Sequence, residues 1–278
     1  MRLGAPVFGF TTASEWIEAH KRKGYKAAYW PLRDDAPEGL INDFINAAGD
    51  NDIVISEVGI WNNMLDPDPA KKQANFDTAV RRLETAEKVG ARCCVNVSGS
   101  RSALWDGPDI RNLTEETYWM VVDVTRRLID KVQPKNTCFT LEPMPWMYPR
   151  DEKDVLRLIK DVDRTAFAAH VDMVNIVNSY DKYIATGEMT DRFFAAIGPH
   201  IRSVHLKDTR IVPDRLTLHI DEAIPGEGEF DYPALLRNCA ALEADLPMMI
   251  EHLRSEEEYD RAAANIRRMA AETGLSFL

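Results

Sequence analysis

Short apolar runs alternate with longer helical segments eight times along the chain, and this alternation constrains the fold more than any other feature. Strands that alternate with helices form parallel sheets, and eight such units close into a barrel. We therefore predict an α/β protein, a single (β/α)8 TIM barrel forming one domain over residues 1–278. The predicted strands cover residues 3–8, 25–30, 52–58, 93–97, 137–142, 166–172, 201–206 and 247–251.

The termini of two helices are marked by residues typical of helix ends. A periodic segment from Pro69 to Val89 is closed by Gly90, so we predict one long helix there. Ser255 and Glu258 have the spacing of a capping box, which predicts the start of the last helix. Residues 209–229, between strand seven and the next helix, are interpreted as a long polar excursion.

Composition excludes some partners and indicates a compartment. The net charge of −11 argues against nucleic acid, because phosphate-backbone binding depends on clustered Lys and Arg, but it leaves a small anionic substrate open. No stretch has the length and apolarity of a membrane span, and no basic-then-apolar leader is recognised. The cysteines form no CxxC pair, so we expect free thiols in a reducing compartment, the cytoplasm. They are Cys93, Cys94, Cys138 and Cys239.

Four of the later predicted strands end in a metal-binding type of side chain. Because the carboxyl ends of the strands of a barrel meet at one face, we expect these side chains to converge. Oxygen and nitrogen donors without sulfur suit Mn²⁺, Mg²⁺ or Co²⁺, with Zn²⁺ as a further option. Each residue alone is better explained as a strand-end polar group that reaches solvent, but equivalent positions on consecutive strands favour a shared metal. The residues are Glu142, Asp172, His205 and Glu251.

Several motifs around these residues resemble the xylose-isomerase-like TIM-barrel superfamily, and within it the sugar (phosphate) isomerase/epimerase group. They are Leu-Glu-Pro at 141–143, Val-Asp at 171–172, Val-His-Leu-Lys-Asp at 204–208, Pro-Gly-Glu-Gly-Glu-Phe-Asp-Tyr at 225–232 and Ile-Glu at 250–251. The resemblance implies that Glu142, Asp172, His205 and Glu251 bind one divalent metal, with Mn²⁺ favoured. It also implies that Glu142 and Glu251 transfer protons, and that the activity is isomerisation or epimerisation of a sugar or sugar derivative through an enediolate.

Further residues at or just after strand ends are candidates for substrate binding, although each could equally be structural. Lys207 shares a strand face with His205 and could form an ion pair or hold an anionic substrate group. We expect His252 to point away from Glu251, into the helix layer. The candidates for substrate binding are Glu57, Trp61, Trp146, Asn175, Lys207 and Arg210.

Two departures from the best-studied ketose epimerases leave the substrate open. Those enzymes have a further glutamate shortly after the strand-five ligand, whereas residues 143–150 here contain none. They also have a histidine a few residues after the strand-six aspartate, where this chain has Asn175. Arg150 and Lys207 would suit a substrate that bears a carboxylate, such as an oxidised sugar acid.

Three other functions are weighed against the isomerase or epimerase. A metal-dependent lyase, such as a decarboxylase, dehydratase or eliminating enzyme, would share the enediolate and then cleave a bond. A DNA endonuclease would need several metals and a basic groove, which six histidines and a charge of −11 disfavour. A barrel that has lost catalysis and only binds a ligand is disfavoured by the intact set of metal ligands. A homodimer is expected from barrels of this kind.

Overall fold

The computed structural model describes all 278 residues. In chain order, the strands β1 to β10 are Arg2–Gly4, Ala27–Tyr29, Val54–Gly59, Cys93–Asn96, Cys138–Leu141, Phe167–Val171, Ile201–Leu206, Asp208–Ile211, Ile220–Ala223 and Pro247–Ile250. Eight of them form a closed parallel barrel in the order β1-β10-β7-β6-β5-β4-β3-β2, while β8 and β9 form a separate antiparallel hairpin. The predicted (β/α)8 TIM barrel is confirmed.

Ten α-helices surround or follow the strands, and none combines the length and apolar character that crossing a membrane requires. The long helix predicted over 69–89 is confirmed, with Asp68 as its N-cap and Gly90 in the left-handed conformation at its end. In chain order, α1 to α10 are Ala13–Lys23, Glu38–Asp50, Pro69–Val89, Glu115–Val132, Glu152–Val162, Met173–Ile176, Tyr180–Tyr183, Thr186–Ile197, Tyr232–Leu242 and Glu256–Glu272.

The barrel closes where the first strand lies between the last and the second. Leu3 of β1 pairs with Met248 of β10, and Gly4 pairs with Ala27 of β2. A Cβ atom on Gly4 would lie 2.3 Å from the carbonyl oxygen of Ala27, so only glycine permits this approach. The first strand ends at Gly4 rather than continuing to residue 8, in keeping with Pro6, which has no N–H to donate to a neighbouring strand.

Apolar side chains fill the space between the barrel and the helices. Fully buried rings such as Trp16, Phe139 and Phe193 lie in this layer, and burying one such side chain contributes about 1.5–3 kcal/mol. Several buried side chains inside the barrel are polar instead, including Glu57, His170 and His205. The helix layer therefore supplies most of the apolar core, and the carboxyl end of the barrel can hold charged groups.

The predicted excursion after strand seven contains the β8–β9 hairpin, anchored by one buried carboxylate. Asp208 accepts hydrogen bonds from the backbone N–H groups of Thr209, Gly226, Gly228 and Phe230, at 2.7–3.0 Å. A Cβ atom on Gly228 would lie 2.2 Å from Asp208 Oδ1, so glycine is required where the chain returns. Hydrogen bonds to the Asp208 side chain thus hold the hairpin where it begins, at Thr209, and where the chain returns, at residues 226–230.

Candidate metal centre and substrate pocket

The structure brings the four strand-end residues together at the carboxyl end of the barrel. Glu142, Asp172 and Glu251 directly follow β5, β6 and β10, and His205 lies near the end of β7. One donor atom from each of the four lies within 4.8 Å of the others. Because β5 and β10 are three strands apart around the barrel, Glu142 and Glu251 approach the centre from different sides.

Three buried donor atoms in this cluster have no hydrogen-bond partner: Asp172 Oδ2, His205 Nδ1 and Glu251 Oε1. Charged side chains of the cluster and of Lys207 lie close to each of them, but none of these contacts has hydrogen-bond geometry. Leaving such atoms unpaired in the interior is costly, and a metal ion would satisfy all three at once. Three carboxylates and one imidazole also match the donors preferred by Mn²⁺ and Mg²⁺. The side chains therefore fit a single divalent metal.

Glu57 lies beneath the imidazole of His205, on the opposite wall of the barrel. Its Oε1 is 2.9 Å from His205 Nε2, and the residue is only 1% exposed. A carboxylate that accepts the Nε2 hydrogen leaves the Nδ1 lone pair directed at the metal position, as in other carboxylate–histidine–metal arrangements. His170 lies beside this pair, with its Nδ1 2.6 Å from Ser203 Oγ. Glu57 does not line the pocket, so its position differs from that of the substrate contact we expected.

The ammonium of Lys207 lies among the same carboxylates. Its Nζ is 2.7 Å from Glu251 Oε1, 2.8 Å from Asp172 Oδ2 and 3.8 Å from Glu142 Oε1. It also donates to Asn175 Oδ1 at 3.2 Å, while Asn175 Nδ2 donates to Glu142 Oε1 at 2.7 Å. Two predicted substrate-binding residues are thus in direct contact with the candidate metal ligands.

The charges of the metal-free cluster shift one another's protonation. Burial alone would lower the pKa of His205, but the carboxylates of Glu251, Glu57 and Glu142 outweigh it and raise the pKa well above its usual value. Burial, reinforced by the Glu251 carboxylate and opposed by His205, raises the pKa of Glu142 to about 7. Burial would also raise the pKa of Glu251, but His205 and Lys207 hold it well below the ordinary value. The pKa values of the two glutamates are therefore shifted in opposite directions, upward for Glu142 and downward for Glu251.

A cavity of about 620 Å³ opens directly over this cluster. Trp61 and Trp146, two of the residues that the sequence suggested for substrate binding, line it. The Trp61 indole lies over Gly59, where a Cβ would be 2.0 Å from its Nε1, and its ring centroid is 6.2 Å from that of His205. Trp146 is held by a hydrogen bond from Nε1 to the Asp106 carbonyl at 2.6 Å. Two aromatic faces thus border the space above the candidate metal position.

Arg210 lies outside this cavity. It is exposed on β8 and lines a neighbouring groove of about 500 Å³. The groove and the cavity share Glu222, Glu251 and His252, so the two spaces adjoin. The structure therefore places Arg210 beside the cavity rather than among the groups that meet at the cluster.

Other residues lining the cavity were missed by the sequence analysis. The expectation that His252 points into the helix layer is wrong: its φ of +60° turns it into the cavity, where Nδ1 lies 3.0 Å from Glu222 Oε1. Glu222 is on the hairpin, within a polar segment that offered no signal. Trp105 lies in the loop after β4, and an aromatic residue in such a loop is the same kind of signal as Trp61 and Trp146. The missed residues are Tyr29, Trp105, Glu222, His252 and Tyr259.

Comparison with known proteins finds a family and several structural relatives. A model of the family described as "Xylose isomerase-like TIM barrel" matches residues 10–272. The probable 3-DHS dehydratase AsbF from Bacillus anthracis superposes with a TM-score of 0.70 at 12% identity, covering 95% of this chain and 97% of that one. The 3-keto-D-glucoside 4-epimerase YcjR from E. coli superposes with a TM-score of 0.69 at 17% identity, covering 96% and 99%.

A curated relative matches only part of the chain. The uncharacterized protein YihM of Escherichia coli (strain K12) is 27% identical over 114 residues, which make up 41% of this chain and 32% of that protein. The match thus spans about a third of the length of YihM. At 12% and 17% identity, the two structural relatives share their fold with this chain.

Proposed function

Because the chain belongs to the xylose isomerase-like TIM barrel family, we propose that it is a metal-dependent isomerase or epimerase of a sugar or sugar derivative. The observation that carries this proposal is the meeting of Glu142, Asp172, His205 and Glu251 beside an aromatic-lined cavity, which Glu142 and Glu251 line. An epimerase acting on a keto-glucoside has the same fold. The proposed reaction exchanges a proton on the carbon next to a substrate carbonyl.

The four residues would hold one divalent cation, for which we propose Mn²⁺. When bound, this cation supplies positive charge that stabilises an enediolate developing on the substrate. Asp172 and His205 serve only to hold it, whereas Glu142 and Glu251 have a second function. Their approach from different sides of the barrel lets one carboxylate remove the substrate α-proton and the other return it.

In this proposal Asn175 orients the Glu142 carboxylate, and Lys207 orients the substrate. Asn175 Nδ2 donates to Glu142 Oε1 at 2.7 Å, which fixes the direction of that carboxylate. The Lys207 ammonium lies among the same carboxylates, and once turned toward Glu222 at the edge of the cavity it can donate to a substrate oxygen. Trp61 and Trp146 present aromatic faces to a sugar ring and reduce the access of water.

A dehydratase is the second candidate, because a protonated group lies beside a base. Lys207 Nζ is 2.7 Å from Glu251 Oε1, so the site holds both a carboxylate to remove an α-proton and an ammonium to protonate a departing hydroxyl. The probable 3-DHS dehydratase with the same fold gives this candidate a parallel. Loss of water from the substrate would distinguish it from epimerisation.

We also propose a cytoplasmic location for the protein. All four cysteines are free and three of them are buried, which suits a reducing compartment such as the cytoplasm. A homodimer stays a prediction, which sedimentation of the purified protein would test.

The function is tested by incubating the Mn²⁺-loaded protein with ketoses, 3-keto sugars and sugar acids in D₂O. We expect one class of compound to change configuration or carbonyl position while gaining deuterium at the α-carbon. Glu142→Gln and Glu251→Gln should each lower the turnover about 10²–10⁴-fold, because each removes a proton-transfer group. Glu18→Gln, an exposed carboxylate on α1, is the matched control and should leave the rate unchanged.

The outcomes separate the candidates. Deuterium exchange without loss of a fragment supports an isomerase or epimerase, whereas release of water or CO₂ supports a lyase. Absence of both exchange and turnover across all three classes of compound, in a protein that binds Mn²⁺, contradicts the proposal.

A further inference from the structure

We propose that the Lys207 ammonium is the built-in cation of the metal-free centre, and that a metal binds only by displacing it, so that Lys207 limits the affinity of the site for metal. This inference rests on the metal centre of the proposed function, but not on any particular substrate or reaction. It concerns the competition between two cations for one set of carboxylates.

The contacts of Lys207 overlap with those expected of the metal. Its Nζ lies 2.7 Å from Glu251 Oε1 and 2.8 Å from Asp172 Oδ2, which are two of the atoms that lack a hydrogen-bond partner. The Lys207 side chain is 2% exposed, so the carboxylates face the ammonium rather than solvent. A divalent cation at the same oxygens and the ammonium would repel each other strongly at such distances in a buried site. Both cations therefore cannot keep these contacts.

The backbone of Lys207 is held in place while its side chain has a second position available. Tyr232 donates a hydrogen bond from its hydroxyl to the Lys207 carbonyl at 2.8 Å, and Asp208 anchors the hairpin that follows. Glu222, on that hairpin, has its Oε1 3.5 Å from Lys207 Nζ and lies at the edge of the cavity. Rotation of the lysine side chain toward Glu222 keeps a carboxylate partner and frees Asp172 and Glu251. The displaced ammonium would then face the cavity.

The position of the Lys207 ammonium among the carboxylates also explains how the cluster is stabilised without a metal. Glu142, Asp172 and Glu251 are buried side by side, and without a cation their charges would repel one another. Lys207 compensates part of this charge by ion pairs, at the cost of competing with the metal. Removing the ammonium should therefore weaken the metal-free fold and strengthen metal binding, two effects of opposite sign.

The test compares Mn²⁺ binding by calorimetry to the wild type, Lys207→Met and Lys23→Met. Lys23, at the end of α1, is the matched control, since its Nζ also lies 2.7 Å from two carboxylates, but these belong to Glu256 and Asp260 rather than to the cluster. We expect Lys207→Met to bind Mn²⁺ at least about tenfold more tightly than the wild type. Lys23→Met should leave the Kd unchanged. The Tm of metal-free Lys207→Met should fall by several degrees and recover when Mn²⁺ is added.

A second measurement uses the unaltered protein and so does not depend on the variant folding. Reductive methylation of lysines, followed by mass spectrometry, should modify Lys207 slowly in the metal-free protein and several-fold faster with Mn²⁺ bound, while Lys23 reacts equally in both.

The inference is overturned if folded Lys207→Met binds Mn²⁺ no more tightly than the wild type, or if the reactivity of Lys207 does not rise when Mn²⁺ is added. It is also overturned if neither protein binds Mn²⁺. If Mn²⁺ binds to Lys207→Met but not to the wild type, the inference is supported, and the proposed function loses its metal. Failure of every substrate, with the expected change in Kd, contradicts the proposed function and leaves this inference standing.

Discussion

Glu57 illustrates how a single buried carboxylate can act on a centre that it does not touch directly. It is 1% exposed, and its Oε1 lies 2.9 Å from His205 Nε2. Burying a carboxylate is costly unless a charged partner or hydrogen bond compensates, and the imidazole of His205 supplies both. We propose that Glu57 is a positioning residue, which directs Nδ1 of His205 at the metal rather than contacting the substrate.

Replacement of Glu57 by glutamine tests this role. The amide keeps the volume but loses the charge that orients the imidazole, so Glu57→Gln should weaken Mn²⁺ binding about 10–100-fold. Calorimetric titration measures the Kd, and thermal unfolding of the metal-free protein shows whether the fold is intact. An unchanged Kd in a folded variant would mean that Glu57 is only a structural residue; Glu18→Gln, on the surface, should behave as the wild type.

The β8–β9 hairpin depends on one side chain for its position. Asp208 accepts four backbone hydrogen bonds, and the hairpin in turn carries Glu222 to the edge of the cavity. Such dependence is not visible in local sequence patterns, because three of the four donors lie 18–22 residues further along the chain. The last helix, in contrast, begins where its sequence indicates: the Ser255 side chain accepts the N–H of Glu258, although Glu258 Oε2 itself accepts from Arg254 rather than from Ser255.

Asp208→Ala should release the hairpin from the barrel. Each buried N–H left without an acceptor costs about 1–3 kcal/mol, so the free energy of unfolding should fall by at least about 2 kcal/mol. Trypsin should also cut faster after the exposed Arg215 near the hairpin tip. Asp214→Ala, an exposed carboxylate beside that arginine, is the control. Equal cleavage rates and equal stability in the two variants would show that Asp208 does not hold the hairpin.

The candidate metal centre joins strands from half of the barrel wall. β5, β6, β7 and β10 are consecutive neighbours, and each contributes one residue to the cluster. Metal binding therefore opposes the separation of these four strands, and only the folded chain presents all four ligands together. Because a ligand that binds only the folded state stabilises it, the metal should raise the stability of the whole molecule.

Addition of Mn²⁺ at about 100 times its Kd should stabilise the protein by about 2.7 kcal/mol. For a chain of this size, that corresponds to a rise in Tm of roughly 5–10 °C, which EDTA should reverse. Differential scanning calorimetry measures the shift, and Asp172→Asn, which removes one ligand charge, should reduce it. A Tm that does not respond to Mn²⁺, Mg²⁺ or Co²⁺ would contradict a metal centre at this position.

The sequence by itself determined the barrel, the long helix from Pro69 to Val89 and the polar residues at the strand ends. These features are local: alternation along the chain determines which segments are strands, and the parallel arrangement brings their carboxyl ends to one face. Glu142, Asp172, His205 and Glu251 could therefore be selected before any contact was known.

Only the tertiary structure decided which groups meet inside the barrel. β3 and β7 are four positions apart in a ring of eight, so Glu57 reaches His205 across the interior from the opposite wall. A positive φ turns His252 into the cavity, and the ammonium of Lys207 lies between Asp172 and Glu251. These contacts depend on strand order, closure and backbone conformation, which bring together residues from 35 positions apart (Asp172 and Lys207) to 148 positions apart (Glu57 and His205) and leave no periodic pattern in the sequence.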